Sequence, residues 1–210
     1  MKRIVIVANG SLGKTFLSEI RRIDYIVGVD HSAYWLIKHG IIPHIAIGDF
    51  DSCTQEEIKE IKKKVADVTE YPSEKDKTDL ELAVDHVIAL HPKKVIIYGA
   101  MGKRLDHELA SVFLLKRLLD EGIEGILKDS QNEVCLVKTQ IEMQKSKRFT
   151  YLSLLPYTKR ITVTLQGFKY NVQRKTITKG ETTGVSNEII DKAGVVEVHE
   201  GIVVAIKSSD

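Results

Sequence analysis

The residues most able to do chemistry in this chain are carboxylates placed just after short apolar runs. Asp49 and Asp51 follow His44–Ile47 and a glycine, in Gly48-Asp49-Phe50-Asp51-Ser52. At spacing i, i+2 on a turn, two carboxylates can converge on one hard cation, whose preferred ligands are oxygens. Asp76 and Asp79 lie at i, i+3 in Lys75-Asp76-Lys77-Thr78-Asp79, at a helix start. Acids there suit the helix dipole and Thr78 can cap, which explains one acid better than a cluster of Lys75, Asp76 and Asp79. Asp30 ends the run Tyr25–Val29, and Asn9-Gly10-Ser11 follows Arg3–Ala8. After Lys94–Tyr98 comes Gly99-Ala100-Met101-Gly102-Lys103-Arg104-Leu105-Asp106-His107. A Gly-x-x-Gly turn opening a helix offers backbone N–H groups to phosphate oxygens, and Arg104 adds a bidentate donor. Acid-rich turns after hydrophobic strands are the placement expected of a Mg²⁺–phosphate site.

Two lookalikes fail on their own terms. Gly13-Lys14-Thr15 resembles the end of a P-loop, but the position of the loop's first glycine holds Ala8. Asp49-Phe50-Asp51-Ser52-Cys53 resembles a phosphatase nucleophile motif, yet Cys53 stands where that motif has Thr.

The elements that must position these residues alternate through the first two thirds of the chain. Continuous apolar runs such as Arg3–Ala8 and Lys94–Tyr98 read as buried parallel strands, and Val65–Tyr71 as another. Between them, 33–39, 55–64, 79–90 and 105–119 carry apolar residues at helical period, the last with Leu109, Val112, Phe113 and Leu119 as its core stripe. This predicts a doubly wound, mainly parallel α/β domain over 1–130, with ligands at the carboxyl ends of its strands. Beyond about Asp129, strand-like runs at 133–139, 150–156, 160–165, 195–199 and 202–207 are separated by turn residues without a helix, which predicts a smaller all-β sandwich over 131–210. The short junction leads to the expectation that the two domains pack on each other.

Composition narrows the classes. The chain has 210 residues, 43% hydrophobic and 29% charged, enough for a core. It has no run of eighteen apolar residues, so no membrane span is expected. Two cysteines, Cys53 and Cys135, exclude a disulfide framework and a cysteine zinc site, and fit a reducing cytoplasm. The net charge of +2 hides a segregation: 49–81 carries eleven acids against six lysines, and 138–179 ten basic residues against one acid. The acids gather near the turns described above, which suggests a cation site. The basic residues sit on strands and read as a solvated face, so no nucleic-acid partner is expected. Trp35, mid-helix, reads as core packing.

Taken in order, Gly48–Ser52, then Lys75-Asp76-Lys77-Thr78-Asp79-Leu80-Glu81-Leu82-Ala83, then Gly102–His107, then Gly167-Phe168-Lys169-Tyr170-Asn171 with Gly184-Val185-Ser186-Asn187-Glu188, resemble the thiamine pyrophosphokinase family of bacterial type over nearly the whole chain. The sequence departs from the family at Val29-Asp30-His31-Ser32-Ala33, where His31 and Ser32 replace two glycines that permit close ligand approach.

The resemblance implies a homodimer, with 1–130 as the nucleotide- and Mg²⁺-binding catalytic domain and 131–210 as the thiamine-binding and dimerisation domain. It implies transfer of the pyrophosphoryl group of ATP to thiamine, giving thiamine diphosphate and AMP. On that reading Asp49, Asp51 and Asp76 hold Mg²⁺. Asp79 and Asp106 serve as further ligands, anchors or base. Asn9, Asp30, Arg104 and the backbone at Gly99 and Gly102 bind or orient the nucleotide. Ser186 and Asn187 hydrogen-bond the aminopyrimidine. Pyrophosphoryl transfer to another alcohol such as a pterin, metal-dependent phosphohydrolysis, and a non-enzymatic sensor are the alternatives. The Ser186-Asn187 element argues against a pterin.

Overall fold

Strands buried on both faces need no polar alternation, and the first strands obey this: Val5, Val7, Val27, Ile45 and Ile47 are essentially inaccessible. The computed structural model describes residues 3–210, and the chain divides after Ser130 into two compact units.

In the first unit, strands β1 (Arg3–Val7), β2 (Tyr25–Val29), β3 (Ile45–Gly48), β4 (Asp67–Glu70), β5 (Lys94–Tyr98) and β6 (Glu124–Lys128) form one parallel array. Their order is β6-β5-β1-β2-β3-β4. The crossovers are α1 (His31–Lys38), α2 (Gln55–Lys64), α3 (Asp79–Ala89) and α4 (Leu105–Asp120), with a short 3-10 helix at Lys14–Glu19 between β1 and β2. The winding reverses between β1 and β5, so the turns after those two strands stand side by side at a switch point. Helix α2 is started by a reciprocal cap: Thr54 Oγ1 accepts from the Glu57 N–H while the Glu57 carboxylate accepts from the Thr54 N–H.

Three expectations shift here. Helix α1 begins at His31, two residues earlier than its apolar period suggests. Strand β3 begins at Ile45, one residue later than expected, with the His44 ring accepting from the Ile26 N–H at 3.1 Å. The stripe on α4 is corrected: Leu109 and Phe113 are 51% and 58% exposed, and the buried face is Ser111, Leu115 and Leu118. Gly125 in β6 explains the choice, since a Cβ there would meet Leu118 at 2.7 Å and Leu115 at 3.1 Å. Trp35 packs in the core, stacked between Phe16 and His39. Among the described residues no helix is long and apolar enough to cross a membrane.

The second unit is all antiparallel. One sheet contains β7 (Asn132–Val137), β9 (Tyr151–Pro156), β12 (Asn187–Glu188) and β14 (Val203–Ser208) in the order β12-β9-β14-β7. The other contains β8 (Gln140–Gln144), β10 (Arg160–Gln166), β11 (Val172–Thr178) and β13 (Ala193–Glu200) in the order β11-β10-β13-β8. Leu152, Leu154, Val203 and Ala205 of the first sheet and Ile161, Val163, Ile177 and Val196 of the second are buried, as in a sandwich.

Candidate active site

Parallel pairing of β2 with β3, in the register Val29↔Ile47, delivers the two strand ends to the same place. Gly48 allows the approach: a Cβ there would lie 3.1 Å from the Asp30 backbone. Asp30 itself sits at φ 55°, as does Phe50, a conformation that costs a non-glycine residue about 1–3 kcal/mol. Phe50 is held there by burial among Ala33, Ile37 and Ile61. The result is that Asp30, Asp49 and Asp51 each bring a carboxylate oxygen within 4.8 Å of the others.

Asp30 stands at the cap position of α1 but does not cap it. Its Oδ2 accepts from Ser52 Oγ at 2.6 Å and Asn9 Nδ2 at 3.3 Å, while Oδ1 is buried with no hydrogen-bond partner. An orphaned carboxylate oxygen in a residue only 7% exposed is costly unless a cation completes it. Asp51 is exposed and does not cap α2, since Thr54 does; Asp49 Oδ1 accepts from its N–H at 3.2 Å. An all-carboxylate oxygen set with one buried, unsatisfied member fits a divalent cation of the Mg²⁺ kind. The Cys53 thiol beside it is pushed up to about 12 by burial and by Asp30 and Glu57, which disfavours its thiolate.

A second group adjoins the first through Asp49. Lys75 Nζ lies 2.7 Å from Asp49 Oδ2 and 3.1 Å from Asp79 Oδ1. Thr78 caps α3, which leaves the Asp79 carboxylate free of that duty. Burial raises the Asp79 pKa, and Lys75 only partly offsets it because Asp49 and Asp30 add negative charge. Burial also acts on Asp49, but the Lys75 hydrogen bond and the Asp51 N–H outweigh it and hold its pKa below the usual carboxylate range. Burial opposes the charge on Lys75, and its two acids more than compensate, raising its pKa. Asp76 is exposed and is not brought into either group.

Beside these carboxylates a cleft of about 410 Å³ opens at the switch point, lined among others by Asn9, Asp30, Lys75, Asp79, Lys103 and Arg104. Gly99 makes its floor possible: at φ 70° it approaches Ala8 so closely that a Cβ would lie 2.3 Å from the carbonyl oxygen. The Gly102 and Lys103 N–H groups, expected to face phosphate, donate to Glu108 Oε1 at 2.8 and 3.1 Å. Arg104 is exposed and paired with Asp106, Nη2 to Oδ2 at 2.6 Å. Asp106 does not line the cleft.

In the second unit, Ser186 is exposed at φ 59°, its N–H donating to Ser153 Oγ at 3.1 Å. Asn187 is buried and braces a neighbouring turn: its amide donates to the Tyr170 carbonyl at 2.9 Å and accepts from the Tyr170 N–H at 3.1 Å. At the departure from the family, the two side chains find partners within the first unit. Ser32 points inward, donating to the Val7 carbonyl at 2.5 Å and accepting from Val29 N–H at 2.9 Å, and His31 reaches Glu57 at 3.5 Å. Sequence reasoning missed Ser52 as the holder of Asp30 and Glu108 as the acceptor in the glycine turn. Ser52 was visible inside Gly48–Ser52; nothing in the sequence marked Glu108.

Comparison with known proteins agrees in both units. Residues 16–127 match the family described as thiamin pyrophosphokinase, catalytic domain, and 138–203 match thiamin pyrophosphokinase, vitamin B1 binding domain. The chain is 37% identical over 186 residues to a thiamine pyrophosphokinase of Bacillus subtilis, covering 88% of this chain and 87% of that one. A crystal structure of Bacillus subtilis thiamine pyrophosphokinase superposes with a TM-score of 0.92 at 34% identity, each chain fully covered (100%). That of Geobacillus thermodenitrificans thiamin pyrophosphokinase gives 0.89 at 33% identity, covering 99% of this chain and 98% of that one. Fold, site placement and these matches together put the chain in the thiamin pyrophosphokinase family.

Proposed function

We propose that this protein transfers the pyrophosphoryl group of ATP to the hydroxyl of thiamine, giving thiamine diphosphate and AMP, with Mg²⁺ as the cation it uses. The single observation that carries the cation is Asp30 on the wall of the cleft, which has a buried, unpartnered Oδ1 and brings a carboxylate oxygen within 4.8 Å of those of Asp49 and Asp51. Those three residues would hold it; Asp76 falls outside the set. When bound, Mg²⁺ supplies positive charge and Lewis acidity toward phosphoryl oxygens.

The chain's own residues do the rest. Ser52 and Asn9 orient Asp30. Lys103, whose Nζ donates to the Asn9 carbonyl at 3.2 Å, and Arg104 at the cleft rim provide positive charge for the triphosphate. The thiamine hydroxyl oxygen bonds to the β-phosphorus and the bridge between α- and β-phosphorus breaks, AMP leaving. Asp79, its pKa raised by burial, is the carboxylate best suited to take the hydroxyl proton. Because little covalent chemistry falls to the protein, positioning supplies most of the rate.

Ser186 contacts the aminopyrimidine in this reading, and Asn187 holds the turn that presents it. Exposed Tyr170, Val185 and Ile190 on the paired segments around it, and Leu105 and Leu109 on α4, are apolar surfaces a second copy or a ligand would cover, which supports a homodimer. Two cysteines in 210 residues support a cytoplasmic location.

The test is incubation with ATP, Mg²⁺ and thiamine. AMP and thiamine diphosphate are expected. Phosphate release without thiamine would instead identify a phosphohydrolase, and turnover with a pterin but not thiamine would reassign the acceptor.

A further inference from the structure

Lys75, on the wall of the cleft, places its ammonium against the acids. Its Nζ donates to Asp49 Oδ2 at 2.7 Å and to the Pro72 carbonyl at 3.2 Å, and lies 3.1 Å from Asp79 Oδ1 as an ion pair. The side chain is only 14% exposed. Two of the ammonium's three donors are thus committed to Asp49 and Pro72, and Asp79 is held beside it by charge. Asp49 is the shared member: one oxygen faces Lys75, and the residue also belongs to the group with Asp30 and Asp51.

We propose that Lys75 is a positioning residue that acts as a resident counter-ion, holding Asp49 and Asp79 against free divalent cations until a cation arrives together with its polyphosphate. The inference rests on the pyrophosphokinase reading for its second half. A bare divalent ion taking Asp49 must share that carboxylate with a buried like charge, a repulsion that falls with distance and dielectric but is strong at a few ångströms. A cation carried by a triphosphate brings anionic oxygens that can take over the ammonium. Lysine suits this exchange, as a compact charge on a flexible stem that can swing between partners. The unpartnered Asp30 Oδ1 is the oxygen to which the nucleotide-borne cation would bind. Cation and nucleotide thus enter as one unit, and the site resists loading with metal alone.

The experiment is titration of the nucleotide-free full chain with Mn²⁺, read by its electron paramagnetic resonance signal, for wild type, K75M and K75R. K75M should bind Mn²⁺ about tenfold more tightly than wild type or better, K75R within about twofold, and K75M should raise the KM for Mg·ATP with a smaller change in kcat. Equal or weaker Mn²⁺ binding by folded K75M overturns the proposal; K75Q is titrated if K75M does not fold. Because the titration needs neither thiamine nor turnover, it stands even if the assay for AMP fails, and the two readings can be lost separately.

Discussion

Replacing Asp30 by Asn separates a cation ligand from a structural brace. Asn retains one oxygen that can accept from Ser52 and Asn9, which now bond Asp30 Oδ2 at 2.6 and 3.3 Å. Its amide nitrogen falls where the unpartnered Oδ1 now lies, and one negative charge leaves a group whose carboxylate oxygens are within 4.8 Å of one another. At an effective dielectric of about 20, two unit charges 4.8 Å apart repel by roughly 3.5 kcal/mol. Solvent at exposed Asp51, the Lys75 charge near Asp49 and the N-terminus of α1 reduce the net relief to about 1–2 kcal/mol. For a chain of this size that is a rise in Tm of roughly 2–8 °C. D30N should therefore melt higher than wild type in EDTA by calorimetry. Mg²⁺ supplied together with ATP should raise the wild-type Tm by more than that of D30N, and turnover should fall by about a hundredfold or more. A lower Tm in EDTA with the Mg²⁺ response and turnover intact would make Asp30 a brace for Ser52 and Asn9, and refute the reasoning.

Three further outcomes follow from the same geometry. Ser32→Ala strips two buried bonds, to the Val7 carbonyl and from Val29 N–H, and should cost about 1–3 kcal/mol in urea unfolding with KM for both substrates unchanged. The folded pKa of Asp49 is lowered and that of Asp79 raised. Asp49 thus adds stability above its unfolded pKa that is lost as pH falls through the folded value, whereas Asp79 costs stability as pH rises through its own. D49N should lose less stability than wild type on acidification and D79N more, by up to about 1.4 kcal/mol per pH unit over the shifted range; parallel acid curves would contradict both assignments. Asn187→Ala removes the brace on Tyr170 and should raise the KM for thiamine several-fold while leaving that for ATP in place.

Much of this architecture was legible in the sequence because its strands declare themselves. Arg3–Val7 and Lys94–Tyr98 are unbroken by a polar residue after their first position until Tyr98, and the cap at Thr78 marks the start of α3. The strands that escaped were β6, the two-residue β12, and β8 and β11, the last two lying at the two edges of their sheet. Edge strands carry charged and polar residues where a central strand carries apolar ones, and Val172-Gln173-Arg174-Lys175-Thr176 gives no alternation to read. In α4, two apolar stripes compete, and only the glycine opposite, Gly125, selects between them. The site shows the same division. Asp49 and Asp51 could be paired from their spacing. Asp30 joined them because β2 neighbours β3 and Gly48 admits it, a matter of topology. Asp76, equally acidic and close in sequence to Asp79, stays exposed, and the glycine turn is filled by Glu108 through a contact no local pattern encodes.

The central claim is tested most directly by identifying the products formed from ATP, Mg²⁺ and thiamine, using anion-exchange chromatography with phosphorus NMR. The account predicts AMP and thiamine diphosphate in equal amounts, with no ADP and no nucleotide consumed when thiamine is left out. Formation of ADP with thiamine monophosphate, or release of phosphate from ATP alone, would contradict it.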